Sequence, residues 1–514
     1  MNSLISKITQ KINEGKFLDA EELSWDLYKS NKNFYNTKTL ALTLLLQNKH
    51  YGSLDFYLKA YELKDNDFDV LVNIAYIYLK FEEFEKSYNF CQKALLLDSV
   101  SHLVYISLLD IYVRKREFER AYECAIELLK KINFQTLLQK PNVIYLILDS
   151  YLAAGKNEEA LQLIQYFYKK IFNPDIFYYH STFSPETISP ELEKIAFQIL
   201  NQTEFKSMID KGKTLGPLYF GLAKYNEKNK KNKISDEQYI SANKEIFDIQ
   251  RYQPLANQKL VNNIKNIFND NRDLDYPQYD DSGLIFIIGM PRSGTTLVES
   301  IISSNENSFS GGELRSIYEL FKSRYDVDDE LIDFQDPGGV YLNRIKFIRN
   351  NKKHFIDKLP GNYHNVGFIK KVFPNAKIIY LKRDPWDNAI SLFKQFYVSN
   401  IPFASSFFNM GVVYANHEEL MRFWKEDLKI NYLTIEYEKL VQDTENIANQ
   451  IYEFCEIKEG YKSSIRKNFF ARTASKNQVT KDVHMESIGK TSFEEQKNEF
   501  IKSLENQRNY WAKS

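Results

Sequence analysis

Leu284-Ile-Phe-Ile-Ile-Gly-Met-Pro-Arg-Ser-Gly-Thr-Thr-Leu-Val-Glu-Ser-Ile-Ile-Ser-Ser304 is the stretch whose reading decides the fold. Leu284 to Ile288 is apolar at every position, the pattern of a parallel strand buried on both faces. It runs into Gly289-Met-Pro-Arg-Ser-Gly-Thr-Thr296 and then into a helical pattern that begins at Leu297. A strand, a glycine-containing loop and a helix in that order aim backbone N–H groups and a helix N-terminus at one place, which suits a phosphate group.

Gly289 and Gly294 have the G-x-x-x-x-G spacing of nucleoside-triphosphate loops, but Thr295 and Thr296 stand where those loops carry Lys and then Ser or Thr. The missing lysine disfavours Mg²⁺-dependent ATP or GTP hydrolysis, and Arg292 supplies the positive charge instead. The stretch PRSGTTL resembles the 5′-phosphosulfate loop of sulfotransferases. Its form is that of tyrosylprotein sulfotransferases and of bacterial proteins that join tetratricopeptide repeats to such a domain. The strand pattern Lys377 to Arg383 leads into Arg383-Asp-Pro-Trp-Asp-Asn-Ala-Ile-Ser391, and the eight-residue step from Arg383 to Ser391 resembles the family's 3′-phosphate pair. The resemblance implies 3′-phosphoadenosine 5′-phosphosulfate (PAPS) as co-substrate. Arg292, Ser293, Gly294, Thr295 and Thr296 would bind its 5′ end, and Arg383 and Ser391 its 3′-phosphate.

Four further stretches extend the resemblance. SGGELRS (310–316) resembles the segment that carries a catalytic Glu and a substrate-contacting Arg, which implies Glu313 and Arg315 in those roles. FIDKLPGNY (355–363) puts Lys358 at the catalytic lysine position, and YLTIEYEKLV (432–441) puts Tyr437 beside the nucleotide. TASKNQVTKDVHMESIGK (473–490) resembles the C-terminal loop that closes over PAPS, giving Ser475, Gln478, Val479 and Lys490. Lys358 and Ser475 would stabilise charge on the departing phosphate oxygen. A sulfuryl group carries less negative charge than a phosphoryl group, so no metal is expected. Tyrosylprotein sulfotransferases have Arg where this chain has Gln395, and a second Glu where it has Gly312. His354 or His364 is the alternative base.

The first third repeats. Ala20, Leu54, Ser87 and Ala121 form a column with steps of 34, 33 and 34 residues, each preceded three positions earlier by Phe17, Tyr51, Phe84 or Phe118. Leu71, Ile74, Ala75 and Tyr78 mark one helix face, and Ser87, Cys91 and Ala94 a second. The pattern recurs in a fifth unit, with Ile144, Ile147, Leu148 and Tyr151 and then Ala160, Ile164 and Phe167, after an insertion around 133–140. These positions match the tetratricopeptide pattern, in which small residues sit where the two helices of a hairpin cross closely. The period is lost from about residue 173. Residues 216–229 read as the first helix of another hairpin, 229–235 as a solvated turn and 269–283 as a polar linker.

The expected architecture is therefore an all-α tetratricopeptide-type superhelix over 1–172, a helical connector over 173–280, and a P-loop-like α/β sulfotransferase domain with a central parallel sheet over 281–514. Lys+Arg and Asp+Glu both number 68, which points to neither nucleic acid nor an acidic membrane as partner. No apolar run reaches bilayer length, and the N-terminus lacks the apolar core of a signal peptide. Cys91, Cys124 and Cys455 are few and unpaired in spacing, as in a reducing cytoplasm. The expected acceptor is a hydroxyl on a peptide tyrosine, a glycan or a small molecule, with the repeats recruiting it or a protein partner. The competing readings are a repeat-based scaffold with an inactive domain, and a P-loop kinase.

Overall fold

The computed structural model describes residues 2–201, 204–205, 207–250, 252–269, 276–277, 279–325, 336–397, 401–458, 460–461, 489 and 492–513. The chain folds as a helical repeat region followed by a domain built on a five-stranded parallel sheet. Its residues group into two compact units. One comprises residues 1–139 with 319–348, and the other residues 140–318 with 349–514.

In the first unit, helices alternate as hairpins. Second helices begin at Phe17, His50, Phe84 and Phe118, and first helices at Phe34, Phe68 and His102. The fully buried small residues at the crossings are Ala20, Ser53, Ser87 and Ala121. The small-residue column therefore runs through Ser53 and not Leu54. The two serines show why: Ser53 Oγ donates to the Ala41 carbonyl at 2.8 Å and Ser87 Oγ to the Ala75 carbonyl at 2.7 Å, each reaching back twelve residues to the partner helix. Around residues 133–140 the chain forms a short helix, Phe134–Leu138. The segment Glu319–Ile348 completes this unit. Arg344 is almost fully buried there, 3.5 Å from both Glu83 and Glu319, and Lys115 lies 4.3 Å over the Phe347 ring.

In the second unit, Met208–Lys228 and Asn232–Gln250 form a hairpin of the same kind. Ser235 Oγ donates to the Ala223 carbonyl at 2.8 Å, again twelve residues back. The turn read over 229–235 is thus shorter than its composition suggests, because residues 232–235 already belong to the next helix and Ser235 is buried. This hairpin grips the end of the helix Pro385–Phe393: Asn243 Nδ2 donates to the Phe393 carbonyl at 2.8 Å, and Lys394 pairs with Glu227 at 3.1 Å and Asp236 at 3.4 Å. The end of the linker is also tied down. Asp281 is buried and accepts from the Asn375 backbone at 2.8 Å and its side chain at 3.0 Å.

The strands are β1 (Leu284–Gly289), β2 (Ser308–Gly312), β3 (His354–Asp357), β4 (Lys377–Lys382) and β5 (Leu433–Glu436), and they lie in the order β2-β3-β1-β4-β5, all parallel. Every residue of β1 is buried, as its unbroken apolar run requires. Ile285 and Ile287 pack with Val298, Ile301 and Ile302 of the following helix and with Ile379, Leu381 and Ile435 of the neighbouring strands. From β1 the chain crosses to β2 on one side of the sheet, and from β4 to β5 on the other. Connections that leave adjacent strands in opposite directions open a crevice at their carboxyl ends, here between β1 and β4. Among the described residues no helix is long and apolar enough to cross a membrane.

Three histidines of the second unit are held neutral, His180 and His417 buried and His364 half-buried. Burial pulls His180 and His364 down to about 4 and His417 down to about 3. His417 sits among the rings of Tyr363, Tyr380 and Tyr414, and neither of its ring nitrogens finds a hydrogen-bond partner among the described residues. With folded values depressed, the unfolded chain binds protons first as pH drops below about 6.5, the ordinary histidine value. Stability should therefore fall between about pH 6.5 and pH 4, by up to about 1.4 kcal/mol per pH unit for each histidine. Urea titrations at about pH 7 and about pH 5 check this, and His417→Gln should reduce the pH dependence whatever it does to absolute stability.

Candidate functional site

The loop after β1 turns on two glycines. Gly289 has φ +150° and Gly294 φ +104°, conformations that side chains rarely adopt. Arg292 between them is itself left-handed at φ +68°, an uncommon placement for a non-glycine residue and a mark of a constrained loop. A Cβ on Gly294 would meet the Tyr437 ring at 2.4 Å, and one on Gly289 would meet the Leu381 carbonyl at 2.6 Å. The loop therefore lies directly against the ends of β4 and β5. Gly294 is also the N-cap of the helix Thr295–Ser303 and has no side chain with which to close that terminus. Ser293, Thr295 and Thr296 are buried at the same turn, and Ser293 Oγ has no hydrogen-bond partner among the described residues.

Arg383, one residue past β4, crosses to this loop. Its Nη1 donates to the Arg292 carbonyl at 2.8 Å, and its guanidinium lies 4.5 Å from the centre of the Tyr437 ring. Burial pulls the Arg383 pKa below its ordinary value, although neighbouring Tyr437, Asp387 and Glu438 oppose the shift. Arg292 Nε donates to Ser391 Oγ at 3.2 Å. The helix that carries Ser391 starts on an Asp384 cap, whose carboxylate accepts from the Trp386 and Asp387 backbones at 3.0 and 2.9 Å. Asn388 on that helix pins the loop by donating to the Pro291 carbonyl at 3.0 Å. Arg292, Arg383, Ser391 and Tyr437 are thus brought together with Ser293, Gly294, Thr295 and Thr296.

A second cluster forms where β2 and β3 end. A register shift between Ser310 and Gly312 bends β2, and the Lys358 backbone N–H donates to the Gly312 carbonyl at 2.9 Å. Lys358 Nζ lies 2.5 Å from Glu313 Oε1, so these two expected residues meet. Lys358 is fully buried while the Glu313 side chain is 42% exposed, so the pair runs from the interior to the surface. Arg315 is exposed at the start of the next helical segment. Ser475, Gln478, Val479 and Lys490 lie outside the described residues. His354 opens β3 and so sits at the opposite end of that strand from Lys358, whereas the half-buried His364 lies against the Tyr363 ring.

Three residues join the site without having been singled out in the sequence. Glu299 is buried at 1% exposure, 3.6 Å from Lys358 Nζ. Its signal was available: it is the sole charged residue of Thr-Thr-Leu-Val-Glu-Ser-Ile-Ile-Ser, between Val298 and Ile301. Tyr178, from the helix Pro174–Phe183, accepts a 2.6 Å hydrogen bond from Gln395 Nε2. The buried Tyr397 hydroxyl lies near Arg292, Tyr178 and Glu313, and burial pushes its pKa upward. No local pattern marks these two tyrosines among 35 in the chain.

Residues 285–460 match the sulfotransferase family. The matched stretch takes in the five strands, from the second residue of β1 onward, and both clusters. An uncharacterized protein of Aquifex aeolicus is 29% identical over 231 residues, 40% of this chain and 30% of that protein. Protein-tyrosine sulfotransferase 1 of Danio rerio is 30% identical over 120 residues, 20% of this chain and 33% of that protein. The chain thus spans about a third of the length of each. Among solved structures, a tetratricopeptide repeat protein from Parabacteroides merdae aligns over 47% of this chain and 91% of its own, at 13% identity and a TM-score of 0.35.

Because Gly294 is both left-handed and in contact with a ring, Gly294→Ala should lower stability by about 1–3 kcal/mol. Tyr437→Ala removes the ring that the new methyl would strike. The two changes together should then cost less than the sum of each alone, a coupling that urea unfolding of the four variants measures.

Proposed function

We propose that the chain is a PAPS-dependent sulfotransferase that moves a sulfuryl group to a hydroxyl acceptor. The observation that carries this reading is the convergence of Arg292, Arg383 and Ser391 on the glycine loop between the ends of β1 and β4. A crevice with a helix terminus lacking a side-chain cap, a buried Ser293 hydroxyl with no partner among the described residues and two guanidinium groups suits a ligand carrying two separated phosphate-type groups. Arg292, Ser293, Gly294, Thr295 and Thr296 would hold the 5′ end, Arg383 and Ser391 the 3′-phosphate, and Tyr437 the nucleotide. Thr295 at the place of a triphosphate-loop lysine favours this ligand over ATP.

PAPS, when bound, supplies an activated sulfuryl group whose S–O bond to the 5′-phosphate breaks as a bond to the acceptor oxygen forms. Glu313, whose side chain is partly exposed, takes the acceptor's hydroxyl proton. Lys358 provides the fixed positive charge at the departing phosphate oxygen. Arg315, exposed beyond Glu313, contacts the acceptor. A peptide tyrosine is one candidate acceptor, suggested by the zebrafish relative's name, and we assign the repeats of residues 1–172 to recruiting that acceptor or a protein partner. We place the enzyme in a reducing cytoplasm, where its three free, buried cysteines, each pushed up to about 12 by burial, stay unreacted.

Calorimetric titration of the full chain tests the nucleotide site. Arg383→Ala should weaken 3′,5′-ADP about ten- to a hundredfold and 5′-AMP little, since only the former carries a 3′-phosphate. Equal losses would make Arg383 a purely structural clamp. Glu313→Gln should retain 3′,5′-ADP binding and lower turnover by about 10²–10⁴-fold, read as the mass of sulfated acceptor formed from PAPS.

A further inference from the structure

Lys358 faces two carboxylates of different character. Glu313 is 2.5 Å away and open to solvent, whereas Glu299 Oε2 is 3.6 Å away and buried. Glu299 Oε1 accepts a hydrogen bond from Ser310 Oγ, and that hydroxyl accepts from the Gly312 backbone N–H at 3.1 Å. Oε2 has no hydrogen-bond donor among the described residues, so its one close polar neighbour there is the ammonium. The rest of the helix around it, with Val298, Ile301 and Ile302, packs into the apolar core under the sheet. A carboxylate in such a place is costly to bury, and an apolar side chain would pack there at less expense in solvation.

Its use follows from the charge on Lys358. Burial lowers the pKa of this fully buried ammonium, and Glu313 and then Glu299 together outweigh that and raise it. Once Glu313 accepts a proton from the acceptor it becomes neutral, and the larger of the two compensating charges disappears at the moment the leaving oxygen needs the cation. We propose that Glu299 is a positioning residue for sulfuryl transfer: it holds the Lys358 ammonium in place while Glu313 is occupied with the acceptor's proton. The inference rests on the roles given above to Glu313 and Lys358, and it adds a residue with no contact to either reactant.

Glu299→Gln is the discriminating variant, because the amide oxygen can still accept from Ser310 while the charge is gone. In the full chain, 3′,5′-ADP should still bind and lose far less affinity than in Arg383→Ala, since Arg292, Arg383 and Ser391 carry most of the nucleotide grip. Turnover should drop by about 10–100-fold with little change in acceptor KM, as for lost stabilisation felt in the transition state. Losing a negative neighbour lowers the ammonium's pKa, so the alkaline limb of the kcat–pH profile should move to lower pH. A ¹³C-lysine NMR titration of Lys358 should show the same direction without relying on turnover. Ser310→Ala keeps both charges and removes the Glu299–Ser310 bond, so it should leave the alkaline limb in place. Unchanged kcat and pH limb in Glu299→Gln, beside an active wild type, would overturn the proposal, as would Ser310→Ala reproducing its whole effect. Absence of PAPS-dependent turnover in the wild type would instead overturn the reading of the site itself.

Discussion

The side chain of Arg383 leaves the end of β4, donates to the carbonyl of Arg292 in the loop after β1, and rests on the ring of Tyr437 at the end of β5. One buried guanidinium thereby fixes three strand ends with respect to one another. Its planar fork can donate along one edge and stack on an aromatic face at once, which a lysine ammonium cannot do. The glycines follow from that arrangement. With Tyr437 held in place by Arg383, there is no room for a side chain at Gly294, and with β4 paired in register with β1 there is none at Gly289. Ser391 arrives because the Asp384 cap starts its helix directly beyond Arg383.

The parallel sheet makes this geometry economical. All five strands deliver their carboxyl ends to the same edge, so residues scattered from 289 to 437 meet without long loops. The two clusters divide along the sheet. The guanidinium cluster occupies the β1/β4 side, and the Glu313–Lys358–Glu299 cluster the β2/β3 side, with the helix Thr295–Ser303 shared between them. That helix presents its open N-terminus to the first cluster and Glu299 to the second, so one short element conditions the electrostatics of both.

Much of this was legible because it is local. The strand, loop and helix at 284–304 are contiguous, so their order alone expresses that geometry, whereas Arg383 and Ser391, eight residues apart, were paired by family resemblance. The meeting of Glu313 and Lys358 was implied by family resemblance and not by spacing, because they stand 45 positions apart with an entire crossover between them. Glu299 escaped notice because a lone glutamate on a helix ordinarily faces water, and the bond that matters is made to a residue 59 positions away. Tyr178 and Tyr397 were silent for the same reason. In the repeats the period was readable but its phase slipped by one at Leu54, since Ser53 and Leu54 both fit a column defined by a preceding aromatic. The difference lies in the hydrogen bond to Ala41, which composition does not encode.

The first unit is not contiguous in sequence. Arg344, buried between Glu83 and Glu319, belongs to a crossover that is synthesised only after β1 and β2. Helical hairpins made early on the ribosome therefore wait for a segment about 200 residues downstream, which at about 5–20 residues per second is roughly 10–40 s. During that interval Glu83 and the neighbouring Tyr88 lack Arg344 and Phe347. A gene fusion that simply appended a repeat array to an independent enzyme would carry no such delay. The threading makes the two units a single heritable piece, one that recombination cannot cut at one point without leaving part of one unit behind in the other.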